Sequence, residues 1–257
     1  DDDDLFRGRE AWVGIQGGMG QLRAGRLPSA YKQTGGRHWD LLDATELQQR
    51  RAGGLAGGAH ANTDFLNGMV EYRTPPAGGL ELVGQYGFDD RGGRNSDDLS
   101  LGAIYREGPW ELVGAFSRSD SAASGANRNW KLGARIETDQ GSFAYHVEDV
   151  RIRDAIDDGT VAKDDGRLRL DPTQLATDTQ HHMVGLSQMA GQGMLWISAG
   201  WLDADDGDFD LQNYTLAWTQ FFSQRLRWYS GAQYQNRDSA YPSGDLVVAS
   251  TGLRFDF

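Results

Sequence analysis

The sequence predicts an all-β chain folded as a transmembrane, antiparallel up-and-down β-barrel. Three observations carry this: a strictly alternating C-terminal stretch, about thirteen similar segments along the chain, and connections between them that alternate short and long. In the last stretch Val247, Ala249, Thr251, Leu253, Phe255 and Phe257 share one face, and Val248, Ser250, Gly252, Arg254 and Asp256 share the other. That period of two is what a strand with one oily and one wet face requires. It persists to the terminal phenylalanine, where the end of a soluble sandwich usually frays.

In chain order the strand-like segments have cores near 8–16, 20–27, 66–73, 79–88, 98–106, 110–118, 128–138, 142–152, 180–189, 194–203, 210–221, 225–236 and 245–257. Leu80, Leu82, Tyr86 and Phe88 alternate with Glu81 and Gln85, and Trp130, Leu132, Ala134 and Ile136 with Lys131, Arg135 and Glu137. Leu226, Trp228, Ala232 and Tyr234 stand likewise against Arg225, Arg227, Gln233 and Gln235. Trp110, Trp201, Tyr214 and Trp218 lie near strand ends, where an amphipathic ring suits a bilayer interface.

Tight connections at Gly17-Gly18-Met19, Pro75-Pro76-Ala77-Gly78, Glu107-Gly108-Pro109, Asp139-Gln140-Gly141, Gly191-Gln192-Gly193 and Ser223-Gln224 alternate with longer polar ones. The latter lie at 28–65, 89–97, 119–127, 153–179, 204–209 and 237–244. Outer-membrane barrels have this asymmetry, with short periplasmic turns and longer extracellular loops. Such barrels normally have an even number of strands and both termini in the periplasm. Counting back from a periplasmic C-terminus puts Asp1 to Asp4 on the extracellular side. The expectation is therefore an incomplete chain, brought to sixteen strands by three more at its N-terminus.

Composition agrees. The 257 residues include 35 Gly, 8 Trp, 9 Tyr, 10 Phe and no Cys, with a formal charge of −12. No apolar run approaches the roughly 20 residues of a membrane-spanning helix. Barrels hide their hydrophobicity in alternation, so a polar mean does not count against one. The acidic balance argues against nucleic acid as a partner.

Several motifs resemble a known family, the general diffusion porins of Gram-negative outer membranes. Arg9-Glu10-Ala11-Trp12-Val13-Gly14-Ile15-Gln16-Gly17 is similar to the family's Arg-x-x-aromatic-x-Gly-Leu strand, and Gly20-Gln21-Leu22-Arg23-Ala24-Gly25-Arg26 to its Gly-x-x-x-x-Gly-Arg segment. Asn67-Gly68-Met69-Val70-Glu71-Tyr72-Arg73-Thr74-Pro75 resembles its Asn-Ser-x-x-Tyr-x-Ser-Pro strand with one residue more before the tyrosine, and Phe257 completes the set. The resemblance implies a homotrimer of sixteen-stranded barrels in the outer membrane, passing small hydrophilic solutes without cofactor or catalysis. It implies contact with lipid and lipopolysaccharide, and a C-terminal strand, ending in Phe255 and Phe257, that the barrel-assembly machinery reads. Residues 8–27 would lie near the trimer interface.

The resemblance also implies that 28–65, within a single barrel domain of residues 1–257, folds inward and narrows the lumen. Residues 40–51 read as a short helix with Asp40 as N-cap and Gly53-Gly54 beyond its end. Asp40, Asp43 and Glu46 recur every three residues along one side, as constriction carboxylates or as a solvated face. Porins place arginines opposite such a loop, and Arg9, Arg26 and Arg23 are the candidates. In a regular strand Arg23 and Arg26 cannot both face inward. Lys131, Arg135, Arg225, Arg227 and Arg254 fall on predicted lumen faces. Thr63-Asp64-Phe65-Leu66 stands where many relatives carry an arginine, so with the acidic balance cations are expected to be favoured.

Other chemistries find less support. His181 and His182 are neighbours on a strand and point to opposite faces, so one at most could serve Ser187, and no base and orienting partner can be named. The acidic pairs at Asp89-Asp90, Asp97-Asp98, Asp157-Asp158, Asp164-Asp165 and Asp205-Asp206 match no EF-hand spacing and read as solvated loop charge. Two alternatives stay open: a substrate-selective channel of the same architecture, and a plugged structural or adhesive barrel acting through its loops.

Overall fold

The computed structural model describes residues 10–34, 39, 42, 45–48, 65–88, 98–119, 127–152, 163–164, 167–168, 178–204, 209–239 and 244–255. Thirteen strands form one sheet: β1 (Ala11–Gly17), β2 (Gly20–Pro28), β3 (Phe65–Arg73), β4 (Leu80–Gly87), β5 (Asp98–Glu107), β6 (Trp110–Ser119), β7 (Asn127–Thr138), β8 (Gly141–Ile152), β11 (Thr179–Ala190), β12 (Gly193–Ala204), β13 (Phe209–Phe221), β14 (Leu226–Ser239) and β15 (Gly244–Phe255). Each pairs antiparallel with its neighbour in this order, from β1 at one edge to β15 at the other. All thirteen coincide with the segments expected from alternation. A two-stranded hairpin of β9 (Lys163–Asp164) and β10 (Arg167–Leu168) lies within the connection 153–179, where no strand was expected.

The sheet inverts the burial of a water-soluble protein. Glu71, Gln85, Ser100, Ser117, Asn129, Lys131, His146, Asn213 and Gln233 are buried, whereas Leu82, Leu132, Leu216 and Val247 are exposed. The strands from β3 to β8 and from β11 to β14 contribute to both sets by alternation, so one face of the curved sheet is a polar interior and the other an apolar belt. A continuous apolar outer face of this extent fits hydrocarbon rather than water as its surroundings. Among the described residues no helix is long and apolar enough to cross a membrane; the crossing is made by strands.

One irregularity sets the geometry near the long loop. Gly25 of β2 pairs with Met69 and Leu27 with Leu66, so two steps on β2 face three on β3. The extra residue is taken up at Gly68, whose φ of +64° a side chain would make costly. The bulge lies on β3, so β2 keeps its alternation unbroken.

The buried apolar clusters sit where the segment after β2 meets the inner wall. Tyr31 packs with Ala115 and Val150; Trp39 with Ile104, Val113 and Ala144; Leu42 and Leu47 with Trp196, Ala217 and Val248. The loop therefore touches the wall from β5 and β6 across to β12, β13 and β15. Its one described helix is α1 (Ala30–Gln33), a single turn capped by Ser29, whose hydroxyl accepts from Lys32 N at 3.0 Å.

The helix expected over 40–51 is not what its described residues form. Thr45 N donates to Leu42 O at 3.0 Å and Gln48 N to Thr45 O at 3.3 Å, giving successive tight turns. The Thr45 hydroxyl donates to Leu42 O and accepts from Leu47 N, competing with helical bonding. Leu42 and Leu47 also bury in one cluster, which positions five apart on a helix would oppose.

Candidate functional site

The inner wall carries two charged groups against which the loop is seated. The first joins β2, β3 and β4 to α1. Glu71 is wholly buried and accepts from Arg23 Nε at 2.8 Å and Nη2 at 2.5 Å, from Gln33 Nε2 at 2.7 Å and from Gln85 Nε2 at 2.6 Å. Arg73 donates to Gln33 Oε1 and, at 2.5 Å, to Glu81 Oε1. The start of α1 is pinned through its backbone, Ala30 N donating to Gln85 Oε1 at 2.6 Å and Tyr31 N to Ser100 Oγ at 2.9 Å. Buried donors at a helix start need such acceptors.

The second group lies on β7 and β8. Lys131 is buried with its ammonium 4.4 Å above the Tyr31 ring, in cation–π geometry. Glu148 stands 3.3 Å from His146, and His146 meets Trp39 edge-on at a centroid distance of 6.3 Å. Burial, together with the nearby Glu148 carboxylate, holds the Tyr31 phenol well above its ordinary range, so it is neutral at physiological pH. Trp39 is 1% exposed, and its Nε1 donates to Glu111 Oε1 at 3.2 Å. Two wall glycines make room for the loop. A Cβ on Gly102 would lie 1.8 Å from Thr34 Oγ1, and one on Gly133 would lie 2.5 Å from the Trp39 ring. At the far side Gln233 Nε2 donates to Leu47 O at 3.3 Å and to Thr215 Oγ1 at 2.9 Å. The segment thus crosses the interior from β2–β4 to β12–β15 and is bonded on both sides.

Arg23 faces the interior and bonds the loop, whereas Arg26, three positions on, belongs to the opposite face and donates to exposed Asn67 Oδ1 at 2.7 Å. The arginine that meets the loop is therefore Arg23, and the assignment of Arg26 to the constriction gives way to it. Lys131 and Arg135 share the inner face, Arg135 lying 3.1 Å from Glu137. Arg227 lies on the face of Gln233, and Arg254 on that of Val248. Arg225 does not line the wall: β14 starts at Leu226, and Arg225 occupies the exposed bend before it, its N donating to Ser223 Oγ at 3.2 Å. Glu46 sits in a turn between buried Thr45 and Leu47. Phe255 is exposed on the outer face. Arg9, Asp40, Asp43 and Phe257 lie outside the described residues.

Glu71, Glu111, Gln33, Trp39 and Gln233 escaped the sequence reading. A clue to Trp39 lay in Gly133, a glycine on the wet face of an otherwise regular strand, where a missing side chain marks close approach. Of the histidines expected to part, His181 is buried on the inner face, and His182 is outside, stacked on Trp201 at 5.0 Å and bonded to Tyr145 at 2.8 Å. Among the described residues no three His, Asp or Glu side chains converge as a metal site.

A family profile described as Gram-negative porin matches residues 1–240. The major outer membrane protein P.IB of Neisseria meningitidis serogroup B / serotype 15 (strain H44/76) is 28% identical over 167 residues, 60% of this chain and 46% of that protein. The chain thus spans about half the length of this curated relative. The anion-selective porin from Comamonas acidovorans superposes with a TM-score of 0.69 at 19% identity, covering 96% of this chain and 76% of that one. Salmonella typhi OmpF, in complex with daunomycin, gives 0.71 at 16% identity, covering 96% and 77%. At these identities the likeness to solved structures shows the fold. With that profile lying over nearly the whole sequence, on a sheet ordered like those barrels, the chain belongs to the Gram-negative porin family of outer-membrane β-barrels.

Proposed function

We propose that this chain forms a passive, water-filled channel for ions and small hydrophilic solutes across the outer membrane, with 28–65 as the constriction loop of a single barrel domain. The observation that carries the reading is a polar interior wall crossed from side to side by one loop. A loop bonded at both ends narrows the lumen without needing chemistry, so selection falls to size and lining charge. No catalytic step is required of any residue. Arg9, opposite Asp40, Asp43 and Glu46 of the loop, would set a transverse field, to which Arg23 and Arg73 add the local dipoles of their pairs with Glu71 and Glu81. Lys131, Arg135 and Arg227 would hydrate the lining.

Selectivity is proposed to be weak and cationic. The wall charges are largely paired, as Arg23–Glu71, Arg73–Glu81, Arg106–Glu111 and Arg135–Glu137. The formal charge of −12 therefore acts mainly through residues away from these pairs, where an acidic surface concentrates cations. The Comamonas neighbour is itself an anion-selective porin, and that property is its own. The proposed partners are two further copies in a homotrimer, outer-membrane lipid including lipopolysaccharide, and the barrel-assembly machinery through Phe255 and Phe257.

Single-channel current and reversal potential of the full-length protein in planar bilayers test this. Ohmic steps arriving in threes, with a cation preference that fades when Asp40, Asp43 and Glu46 are neutralised, support the reading. Block by low concentrations of one sugar or anion points instead to a substrate-selective channel. A folded barrel without conductance leaves the plugged structural barrel.

A further inference from the structure

The bulge on β3 sets up a reaction that passage through a channel does not use. Asn67-Gly68 is the one Asn-Gly pair in the sequence, and it falls where the β2–β3 ladder skips. Gly25 pairs with Met69 and Leu27 with Leu66, so Asn67 and Gly68 together face Arg26. On the other side the regular register with β4 begins at Met69, and Gly68 is tied there through its carbonyl, which accepts from Phe88 N at 3.2 Å. Both residues of the pair are exposed.

The fold requires glycine at the second position, because its φ is +64° and a Cβ there would lie 2.8 Å from Phe88 O. With no side chain beside it, a glycine nitrogen is also the least shielded nucleophile that can follow an asparagine. Closing a ring between Gly68 N and Asn67 Cγ needs the peptide between them to turn out of the extended form. A strand paired residue for residue on both sides resists that turn, whereas a bulge has already given up such pairing. Arg26 Nη1 donates to Asn67 Oδ1 at 2.7 Å. That oxygen gains negative charge as the nitrogen adds to Cγ, so a guanidinium already held on it favours the transition state over the resting amide.

We infer that Asn67 is a site of spontaneous deamidation in the folded protein, assisted by Arg26. Gly68 N gives its proton to solvent base and bonds to Asn67 Cγ. The Cγ–Nδ2 bond breaks, the nitrogen takes a proton from solvent and leaves as ammonia, and a succinimide remains. Water adds to either imide carbonyl and the ring C–N bond breaks, leaving aspartate or isoaspartate at position 67. No atom changes oxidation state. Each event adds one negative charge beside Arg26, turning a hydrogen bond to a neutral amide into an ion pair at the root of the 28–65 connection. Isoaspartate also lengthens the backbone of β3 by one atom, at the place where the strand already carries an extra residue. The inference rests on strand register and contact, not on conductance.

Peptide mapping by mass spectrometry of the full-length folded protein, aged in detergent at mildly alkaline pH, tests it by separating asparagine, aspartate and isoaspartate at position 67. Samples are read only while they keep the heat-modifiable gel band. Position 67 is expected to convert well ahead of Asn129 and Asn213, which are buried in the wall, and to give both products. R26Q is expected to convert several-fold more slowly than the wild type. Conversion confined to the urea-unfolded chain, with Asn67 intact in the folded one, overturns the site. Equal rates in folded wild type and R26Q overturn the part given to Arg26. Aspartate without isoaspartate marks direct hydrolysis of the amide and overturns the part given to Gly68. A folded wild type that converts at position 67 yet passes no current would remove the channel reading and leave this one intact.

Discussion

Replacing Glu71 by glutamine isolates what seats the loop on the wall. The carboxylate receives four hydrogen bonds, two of them from Arg23, whose side chain is only 11% exposed. Glutamine keeps the shape but turns one acceptor oxygen into a donor, which must face either the guanidinium or the two amides. Breaking a buried, hydrogen-bonded ion pair from one side costs about 3–5 kcal/mol, because the remaining charge stays desolvated. The backbone bonds that still hold α1, Ala30 N to Gln85 and Tyr31 N to Ser100, contribute about 0.5–1.5 kcal/mol each. Their sum is smaller than the penalty, so the α1 end of the loop leaves the wall part of the time, while the backbone ladder of β3 is untouched. Single-channel recordings of E71Q should show added current fluctuation, a reversal potential moved toward anions by the lost charge, and a lower midpoint for heat-induced loss of the folded gel band. A variant with wild-type noise and an unchanged midpoint would refute the anchoring role.

Trp39→Ala removes a buried ring and its bond to Glu111, a loss of about 3–5 kcal/mol from the loop's docking; sugar permeation in liposome swelling should extend to larger solutes. Gly133→Leu should reproduce this by evicting the ring from the other side. Arg23→Ala should change conductance and selectivity more than Arg26→Ala, since among the described residues Arg23 bonds Gln33 of the loop while Arg26 bonds Asn67 of β3. The raised pKa of Tyr31 means that the folded protein resists an ionisation which the unfolded chain undergoes at the ordinary tyrosine value of 10.0. Its contribution is intact below pH 10 and is lost as pH rises from there toward the folded value. Current noise should therefore grow in alkali for the wild type but not for Tyr31→Phe.

Alternation made the strands legible because each residue of a barrel wall answers to only two environments, and a period of two records which. Even the paired histidines were sorted correctly by that rule. It says nothing about which wet-face residue meets which, and the loop's partners lie far away in sequence. Gln233 reaches Leu47 over 186 positions, and Trp39 reaches Glu111 over 72. Glu71 looked like one more polar residue of a wet face, and its role depends on Arg23, Gln33 and Gln85 arriving from three other elements. The helix expected over 40–51 rested on an N-cap at Asp40 and a glycine stop at Gly53-Gly54, with its acids spaced by three. The two leucines that the wall buries together outweighed it.

The loop that spans the interior also has a mechanical consequence. Each strand of the sheet is hydrogen-bonded only to the strands beside it, so the curved wall is a chain of hinges that lateral pressure could flatten into an oval. A chord fixed to Glu71 and Gln85 on one side, and to Gln233, Trp196 and Val248 on the other, acts as a tie rod across that curve. The width of the passage is then set by the length of the chord rather than by the squeeze of the surrounding bilayer.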